Sequence, residues 1–334
     1  MVNTKSACLK LSKIDLNVQI VRSNKRHLSS MSQVSADAIL KVLKDNFVQA
    51  GITTVDNLSD LQALVDSKPD LLFLGMQYVH DDSDKKSKVW LSNYLDERGI
   101  AYTGSSYGAH ILELNKHKAK QAVADAGLKT SPFVVMKDCD RMADTLSQLT
   151  FPMFVKPTNK GGGAGIDVNS VVRNEKELRL KVGLLTENNW TKSLVEQYLT
   201  GREFSVAIID GDNGLTAMPI ELIAQPDENG LSILSRNVKA SNNESVLAVS
   251  EPGVYESVTS LAIKAFKALG ARDYGRIDIR MDDKGAPHFL EANLIPSLIE
   301  GYGSFPKACL LNHDLDYEPM ILRIVDLASQ RAGL

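Results

Sequence analysis

Asp278, Glu291 and Asn293 are the residues of this 334-residue chain whose types and spacing best suit a metal, and Arg276 stands beside them. They lie in Tyr274-Gly-Arg-Ile-Asp-Ile-Arg-Met-Asp-Asp-Lys-Gly-Ala-Pro-His-Phe-Leu-Glu-Ala-Asn293. The pattern reads as two short strands joined by a turn at Asp282-Asp283-Lys284-Gly285, where Gly and Asp supply the positive-φ positions of a tight hairpin. Side chains alternate along a strand, so Arg276, Asp278 and Arg280 share one face and Ile277 and Ile279 the other. The same rule places Phe289, Glu291 and Asn293 on one face of the return strand, opposite Leu290 and Ala292. If the polar faces coincide, two carboxylates and an amide converge beside an arginine. Hard oxygen donors in that number suit Mg²⁺, which takes one or two carboxylates and leaves room for substrate phosphates. Taken alone, the same residues also describe an exposed hairpin with a solvated charged face. A calcium loop counted from Asp278 fails, with Asp283 where glycine is needed and Phe289 where glutamate is needed.

Further along the chain stands Asn159-Lys-Gly-Gly-Gly-Ala-Gly165, between two strand-like stretches. Consecutive glycines let backbone N–H groups approach phosphate oxygens closely, and they also make a plain flexible hairpin. The loop matches neither G-x-x-x-x-G-K-[ST] nor a G-x-G-x-x-G that opens a helix. Lys156 sits just before it, inside the apolar strand Phe151-Pro-Met-Phe-Val-Lys-Pro157, where solvation of an ammonium is poor.

These groups need elements to hold them. Ile14 to Val21 alternates as a strand. An amphipathic helix is expected from Ser35 to Ala50 and a short one from Leu58 to Val65. Pro69-Asp-Leu-Leu-Phe-Leu-Gly75 has the continuous apolar run of a buried parallel strand. A helix over Val89–Arg98 and a strand and turn over Gly99–Gly104 complete an open α/β unit with a largely parallel sheet. His80 to Lys88 is the expected mobile loop. Next come a helix over Lys116–Ala126 stopped by Gly127, a strand over Pro132–Met136, a helix over Met142–Leu149, and strands over Phe151–Pro157 and Ile166–Val172. Leu194 to Ile209 reads as two strands with a turn at Thr200-Gly201. Met218–Ala224 is a strand, and Ser257–Leu269 and Pro319–Gln330 are helices.

Hydrophobic content of 43% with 24% charged residues is ordinary for a globular chain able to bury large cores. A formal charge of −3 gives no electrostatic reason to expect nucleic acid or an anionic membrane as partner. Cys8, Cys139 and Cys309 form no C-x-x-C pair and read as inert thiols in a reducing compartment. With no apolar leader or membrane-length run, the expected location is cytoplasmic.

Taken together, residues 112 to 300 resemble an ATP-grasp ligase, nearest to the D-alanine–D-alanine ligase family. The resemblance rests on Tyr102-Thr-Gly-Ser105, Asn115-Lys116 with Lys120, the Phe151–Pro157 strand, the glycine loop, Val195-Glu-Gln-Tyr-Leu-Thr-Gly-Arg-Glu203, Lys239, and Gly275-Arg-Ile-Asp278 through Glu291-Ala-Asn293, in the family's order. It implies that Lys116 and Lys156 contact ATP phosphates and that the loop of Lys160, Gly161, Gly162 and Gly163 closes over them. Glu196, with the backbone at Tyr198 and Leu199, would hold the adenine, and Glu203 the ribose hydroxyls. Lys239 would reach the transferred phosphoryl group. Asp278, Glu291 and Asn293 would bind Mg²⁺, as two ions, with Mn²⁺ able to substitute, and Arg276 would stabilise charge at the tetrahedral centre. A substrate carboxylate would attack the γ-phosphorus, and an amine would then attack the acyl phosphate. That route needs no protein nucleophile, in keeping with a chain that offers no convincing Cys/His or Ser/His arrangement.

Lys239 is followed by Ala240 where the family usually has an aromatic residue, and the other departures rewrite the substrate half. Where the family has Gly-Gly-x-Ser-x-Glu, this chain has Val21-Arg-Ser-Asn-Lys-Arg-His-Leu-Ser-Ser30, with no Glu. The family's His-Gly-x-x-Gly-Glu-Asp-Gly is replaced by Met76-Gln-Tyr-Val-His-Asp-Asp-Ser-Asp84, and Asn293-Leu-Ile-Pro296 runs into Ser297-Leu298 rather than Gly-Met. The expected protein is an α/β, three-domain carboxylate–amine ligase, divided at 1–113, 114–199 and 200–334. It would form an amide or imine-type C–N bond between an amino acid and a small carboxylate in a specialised pathway, such as mycosporine-like amino acid or dipeptide synthesis. A true D-alanine–D-alanine ligase is the alternative, and a nucleotide sensor is disfavoured because all three metal-ligand positions are filled. The expected partners are small molecules, with neither nucleic acid nor membrane, and a homodimer is implied by the resemblance.

Overall fold

The computed structural model describes residues 12–25, 27–29, 31–84, 87–137, 142–159, 163–187, 192–211, 213–224 and 244–334. The chain opens with β1 (Ile14–Arg22), α1 (Gln33–Asn46), β2 (Phe47–Thr54), α2 (Leu58–Asp66), β3 (Leu71–Leu74), β4 (Tyr78–His80), β5 (Lys88–Trp90), α3 (Leu91–Asp96), β6 (Ala101–Tyr102) and α4 (Tyr107–Glu113). Strands β2, β1, β3 and β6 form one parallel sheet in that order. All four residues of β3 are buried, as a parallel strand covered on both faces requires. The expected helix over Ser35–Ala50 ends instead at Asn46, and the next eight residues pair with β1. Phe47 and Ala50 keep helical spacing from Leu43, but Val48, Ile52, Thr53 and Thr54 are β-branched and find a strand partner. Val89 and Trp90 likewise leave the expected helix to pair with β4 as an antiparallel hairpin. That hairpin brackets the expected mobile loop, of which residues 85 and 86 lie outside the described residues.

The middle of the chain runs α5 (Lys116–Asp125), β7 (Phe133–Met136), α6 (Met142–Gln148), β8 (Met153–Pro157), a 3₁₀ turn at Val168–Ser170, β9 (Val171–Val172), α7 (Glu175–Glu187) and β10 (Ser193–Gln197). Its antiparallel sheet has the order β7-β10-β8-β9. The strand expected over Ile166–Val172 shrinks to Val171 and Val172, because Asp167 caps the preceding turn through the Asn169 and Ser170 backbone.

The last part runs β11 (Glu203–Ile209), β12 (Thr216–Ala224), β13 (Glu244–Ala248), α8 (Pro252–Ala268), β14 (Tyr274–Met281), β15 (Pro287–Asn293), α9 (Ser304–His313) and α10 (Tyr317–Ala332). The five strands form an antiparallel sheet of order β13-β12-β11-β14-β15. Strands β10 and β11 therefore belong to different sheets, and Thr200-Gly201 crosses between them rather than turning a hairpin. A Cβ on Gly201 would meet the Met281 and Asp282 carbonyl oxygens at 2.6 Å, so only glycine lets this crossing lie against the end of β14.

One face of the last sheet packs Phe204, Val206, Ile277 and Ile279 against Phe266 of α8 and Val123 of α5. Its other face shares a core with the first sheet, where Ala207, Ile209 and Ile220 join Ile20, Phe73 and Ile324. The middle sheet has a separate core of Val155, Val195, Leu178 and Val182. Where the middle and last sheets face each other a cleft opens, lined by charged side chains among a few apolar ones. Among the described residues, no helix is long and apolar enough to cross a membrane.

Candidate active site

The β14–β15 ladder sets Asp278 directly opposite Glu291 and Arg276 opposite Asn293. Directly opposed residues in such a ladder hold their Cβ atoms roughly 5 Å apart. Two opposed carboxylates repel, and each is matched by a cation. Arg276 donates from Nε to Asp278 Oδ1 and from Nη2 to Asp278 Oδ2, each at 2.9 Å. Lys116 Nζ lies 2.9 Å from Glu291 Oε2. The Ser205 hydroxyl donates to Asp278 Oδ1 at 2.9 Å and the Asn293 amide to Oδ2 at 3.1 Å. Asp278 is 8% exposed, so its charge depends on these partners.

The expectation for Phe289 is corrected. The register slips between Asp278 and Ile279, so Phe289 opposes Ile279 and joins the apolar core, while Leu290 has moved round to line the cleft beside Glu291. A one-residue bulge reverses the facing of every residue before it on the strand. Lys120 and Thr130 donate to the carbonyl of Phe289 there, at 3.3 and 2.8 Å.

Across the cleft, Glu196 is the centre of a buried network. Lys120 Nζ lies 2.6 Å from Oε1 and Lys156 Nζ 2.7 Å from Oε2, and the Ser131 hydroxyl donates to Oε1 at 3.0 Å. Burial works to raise the Glu196 pKa, but the two ammonium groups outweigh it and hold the carboxyl at about 2. Burial pushes Lys120 down to about 8 against the pull of Glu196. For Lys156 the neighbouring carboxylates Glu196 and Glu291 outweigh burial and raise its pKa. Lys156 thus keeps its charge inside a strand, as an anion-binding lysine must.

Tyr198 and Leu199 line the same cleft, with the Tyr198 N–H donated to the Pro152 carbonyl at 3.2 Å. Glu203 accepts from Arg280 Nη1 at 3.0 Å. Gly163, at φ 71, marks the far end of the glycine loop. Lys160, Gly161 and Gly162 lie outside the described residues, and so does Lys239.

Arg276 also donates to the Ser304 hydroxyl at 3.4 Å, at the first turn of α9, where helix N–H groups and a guanidinium face the same space. At the same end of the ladder's last strand, Glu113 Oε1 accepts from the Leu294 N–H at 2.8 Å, and its Oε2 meets Gln77 and His110. Ser131, Ser205, Leu290 and Ser304 carried no signal beyond strand alternation or helix position. Lys120 and Arg280 were visible in sequence without their partners.

The donors fit magnesium. Two carboxylates and an amide share one strand face, and no group of three His, Cys, Asp or Glu gathers elsewhere among the described residues. Such a set leaves coordination positions to water and phosphate oxygens, the usual manner of Mg²⁺. The cleft beside it carries Lys156, apolar Phe154, Ile166 and Leu290, and the acid Glu203, a combination suited to phosphates, a flat base and a ribose.

Comparison with known proteins agrees with that chemistry. A family model described as D-ala D-ala ligase C-terminus matches residues 122–326. A D-alanine–D-alanine ligase of Hydrogenovibrio crunogenus is 26% identical over 294 residues, covering 88% of each chain. One of Pelobacter propionicus is 31% identical over 233 residues, covering 69% of this chain and 71% of its own. The crystal structure of D-alanine–D-alanine ligase from Bacillus anthracis complexed with ATP superposes with a TM-score of 0.75 at 19% identity, over 96% of this chain and 99% of that one. With more than half of its length matched and its fold shared, this chain belongs to the D-alanine–D-alanine ligase family of ATP-grasp, ADP-forming carboxylate–amine ligases, which work with ATP and Mg²⁺.

Proposed function

We propose that this ligase joins an amino acid to a small carboxylate other than D-alanine, in specialised metabolism. Lys116 and Lys156 bind the phosphates, Glu196 and the Tyr198–Leu199 backbone the adenine, and Glu203 the ribose. Asp278, Glu291 and Asn293 hold Mg²⁺, which when bound neutralises charge on the phosphate oxygens. Arg276 receives the carboxylate that attacks the γ-phosphorus and steadies the oxyanion that forms when the amine nitrogen adds to the acyl carbon. ADP leaves in the first step and phosphate in the second, and the protein contributes position and charge. Closure of the site keeps water from the acyl phosphate. Three parts, divided at 113/114 and 199/200, suit this scheme, because each of the three main sheets falls within one of them.

The observation that carries the substrate reading is the set of side chains on the segments that follow the carboxyl ends of β1, β3 and β6, the edge at which open parallel sheets receive ligands. It presents rings and cations. Trp90 lies 5.6 Å from both Tyr78 and Tyr107, His80 lies 5.7 Å from Tyr78 and 6.4 Å from His27, and Lys88 Nζ stands 3.9 Å over the Tyr78 ring. A genuine D-alanine–D-alanine ligase remains the second reading, favoured by the relatives' names and by a nucleotide and metal half that would serve it equally.

The test is ADP release across a panel of amino acids paired with small acids, with mass spectrometry of the product. At least one pair should give sustained ADP release and a new amide, and Glu291→Gln should lower its kcat on the order of 100-fold or more, the scale of a lost charge-stabilising group. No ADP release from any pair would sink the ligase reading. A near-normal kcat in Glu291→Gln at saturating Mg²⁺ would sink the metal assignment.

A further inference from the structure

Arg280 is the cation of the nucleotide cleft that the phosphate, metal and acyl chemistry leaves unused. It is 9% exposed and lines the cleft with Tyr198, Glu203 and Asp278. Its fork reaches one short segment with all three of its nitrogens. Nη1 donates to Glu203 Oε2 at 3.0 Å, Nη2 to the Tyr198 hydroxyl at 2.9 Å, and Nε to the Gly201 carbonyl at 3.3 Å. The guanidinium carbon also lies 4.8 Å from the centre of the Tyr198 ring. That segment is the crossing from β10 to β11, which runs from one wall of the cleft to the other. The backbone fixes it too, with Gly201 N–H bonded to the Met281 carbonyl at 3.0 Å and Met281 N–H to the Arg202 carbonyl at 2.9 Å.

Spacing along β14 gives this clamp a meaning. Arg276, Asp278 and Arg280 project from one face at every second residue, about 6.6 Å per step. Arg276 serves the acyl end, Asp278 the metal and phosphates, and Arg280 stands one step further, beside the acid read as the ribose acceptor. A carboxylate selects a ribose diol only if its plane is fixed, since each hydroxyl must meet an oxygen along a lone-pair direction. A planar guanidinium that holds one oxygen fixes that plane, which a point-charge ammonium does less well. Its charge also offsets that of Glu203, so the wall nearest the ribose does not repel a polyanionic nucleotide.

We propose that Arg280 is a specificity-determining positioning residue. It clamps Glu203 and Tyr198 so that the cleft prefers a ribonucleoside triphosphate over its 2′-deoxy counterpart. The proposal rests on the reading of Glu203 as the ribose acceptor. The experiment is isothermal titration of the full-length protein with the β,γ-imido analogue of ATP and with the 2′-deoxy form of that analogue, which needs no knowledge of the acid or amine. The wild type should bind the ribo form about tenfold more tightly, the size of one hydrogen bond to a charged group. Arg280→Met should lose about tenfold in affinity for the ribo form and bring the two forms within about twofold, while Arg280→Lys should recover part of the preference. Glu203→Gln should abolish the preference, and Arg280→Met added to it should cost no further discrimination, as expected for residues that act as a unit. Equal weakening of both analogues in Arg280→Met, with the preference intact, would mean that Arg280 only braces the crossing, and the proposal fails. It fails equally if Arg280→Met binds both analogues as the wild type does. If Arg280→Met does not fold, an unchanged preference in folded Arg280→Lys together with additive effects of Glu203→Gln overturns it. A wild type that binds neither analogue would instead overturn the nucleotide reading of the cleft, and this inference with it.

Discussion

At the scale of single residues, the nucleotide half is a set of charges that cannot be removed one at a time. Glu196 is 2% exposed and faces two ammonium groups, so its carboxylate is both costly to bury and firmly held. Its folded pKa of about 2 lies below the ordinary 4.5, and the direction of the linkage follows. A group with a depressed folded pKa contributes stability that is complete above its unfolded value and is lost as pH falls through its folded value. The wild type should therefore lose stability progressively between pH 4.5 and about 2. Glu196→Gln should be less stable at pH 7, because Lys120 and Lys156 lose their anion. Its disadvantage should narrow as the pH is lowered through that window. Denaturant midpoints measured at pH 7, 5 and 3 check this, and a gap that stays constant or widens on acidification would show that Glu196 does not hold the charge assigned to it. The pairing itself was not readable from sequence. Lys120, Lys156 and Glu196 are far apart along the chain, and only the antiparallel register of β8 on β10 and the seating of α5 behind them bring the three together.

At the scale of elements, what the sequence made legible was periodic and what it hid was irregular. The alternation of Tyr274–Met281 and the glycine-marked turn placed β14 and β15 closely, and Gly285 adopts φ 78 as the turn demands. The bulge at Leu290 defeats the same rule, since one extra residue reverses the facing of Phe289 without any change in composition. Strand β2 was hidden because its first apolar residues continue the spacing of α1, and tertiary pairing with β1 overrode that local pattern. The roles of β10 and β11 were hidden because a turn residue cannot announce whether the chain folds back or crosses to another sheet. The bulge also makes a prediction. Leu290 lies in the cleft opposite Phe154 and Ile166 and is only half-buried, so it offers apolar surface to a bound base. Leu290→Ser should weaken nucleotide binding by about tenfold, the worth of one apolar contact face, and should leave the melting temperature within about 2 °C because little core is lost. Titration with the non-hydrolysable analogue reads the first and a thermal melt the second. An unchanged affinity would place the base elsewhere.

At the scale of the whole molecule, the two halves of the site differ in how they are assembled, and this explains why one was readable and the other was not. The nucleotide and metal groups sit on contiguous strand segments, whereas the substrate side is built from three loops that meet only through the order of the parallel sheet. The basic run after β1 illustrates the difference. Arg22 is 7% exposed and is held by Asn24 at 2.9 Å and Gln33 at 2.7 Å, and Lys25 turns back to the Asp56 carbonyl at 3.2 Å. His27 remains exposed beside His80, and Arg26 lies outside the described residues. Asp56 reaches into this run and accepts from the Ser23 hydroxyl and the Asn24 N–H. A ligase for D-alanine must take the ammonium of its first substrate out of water, and a buried cation needs a paired anion. At the end of β1 this chain offers a buried guanidinium held only by neutral amide oxygens instead, and such a group repels an ammonium and attracts an acid. D-alanine alone should therefore give little ADP release even at high concentration, whereas acids with a substituted or distant amine, or with a second acidic group, should be used better. The comparison is made by coupled ADP assay with mass spectrometry of the products. Efficient formation of D-alanyl-D-alanine would refute the argument from charge and return the enzyme to the parent activity of its family.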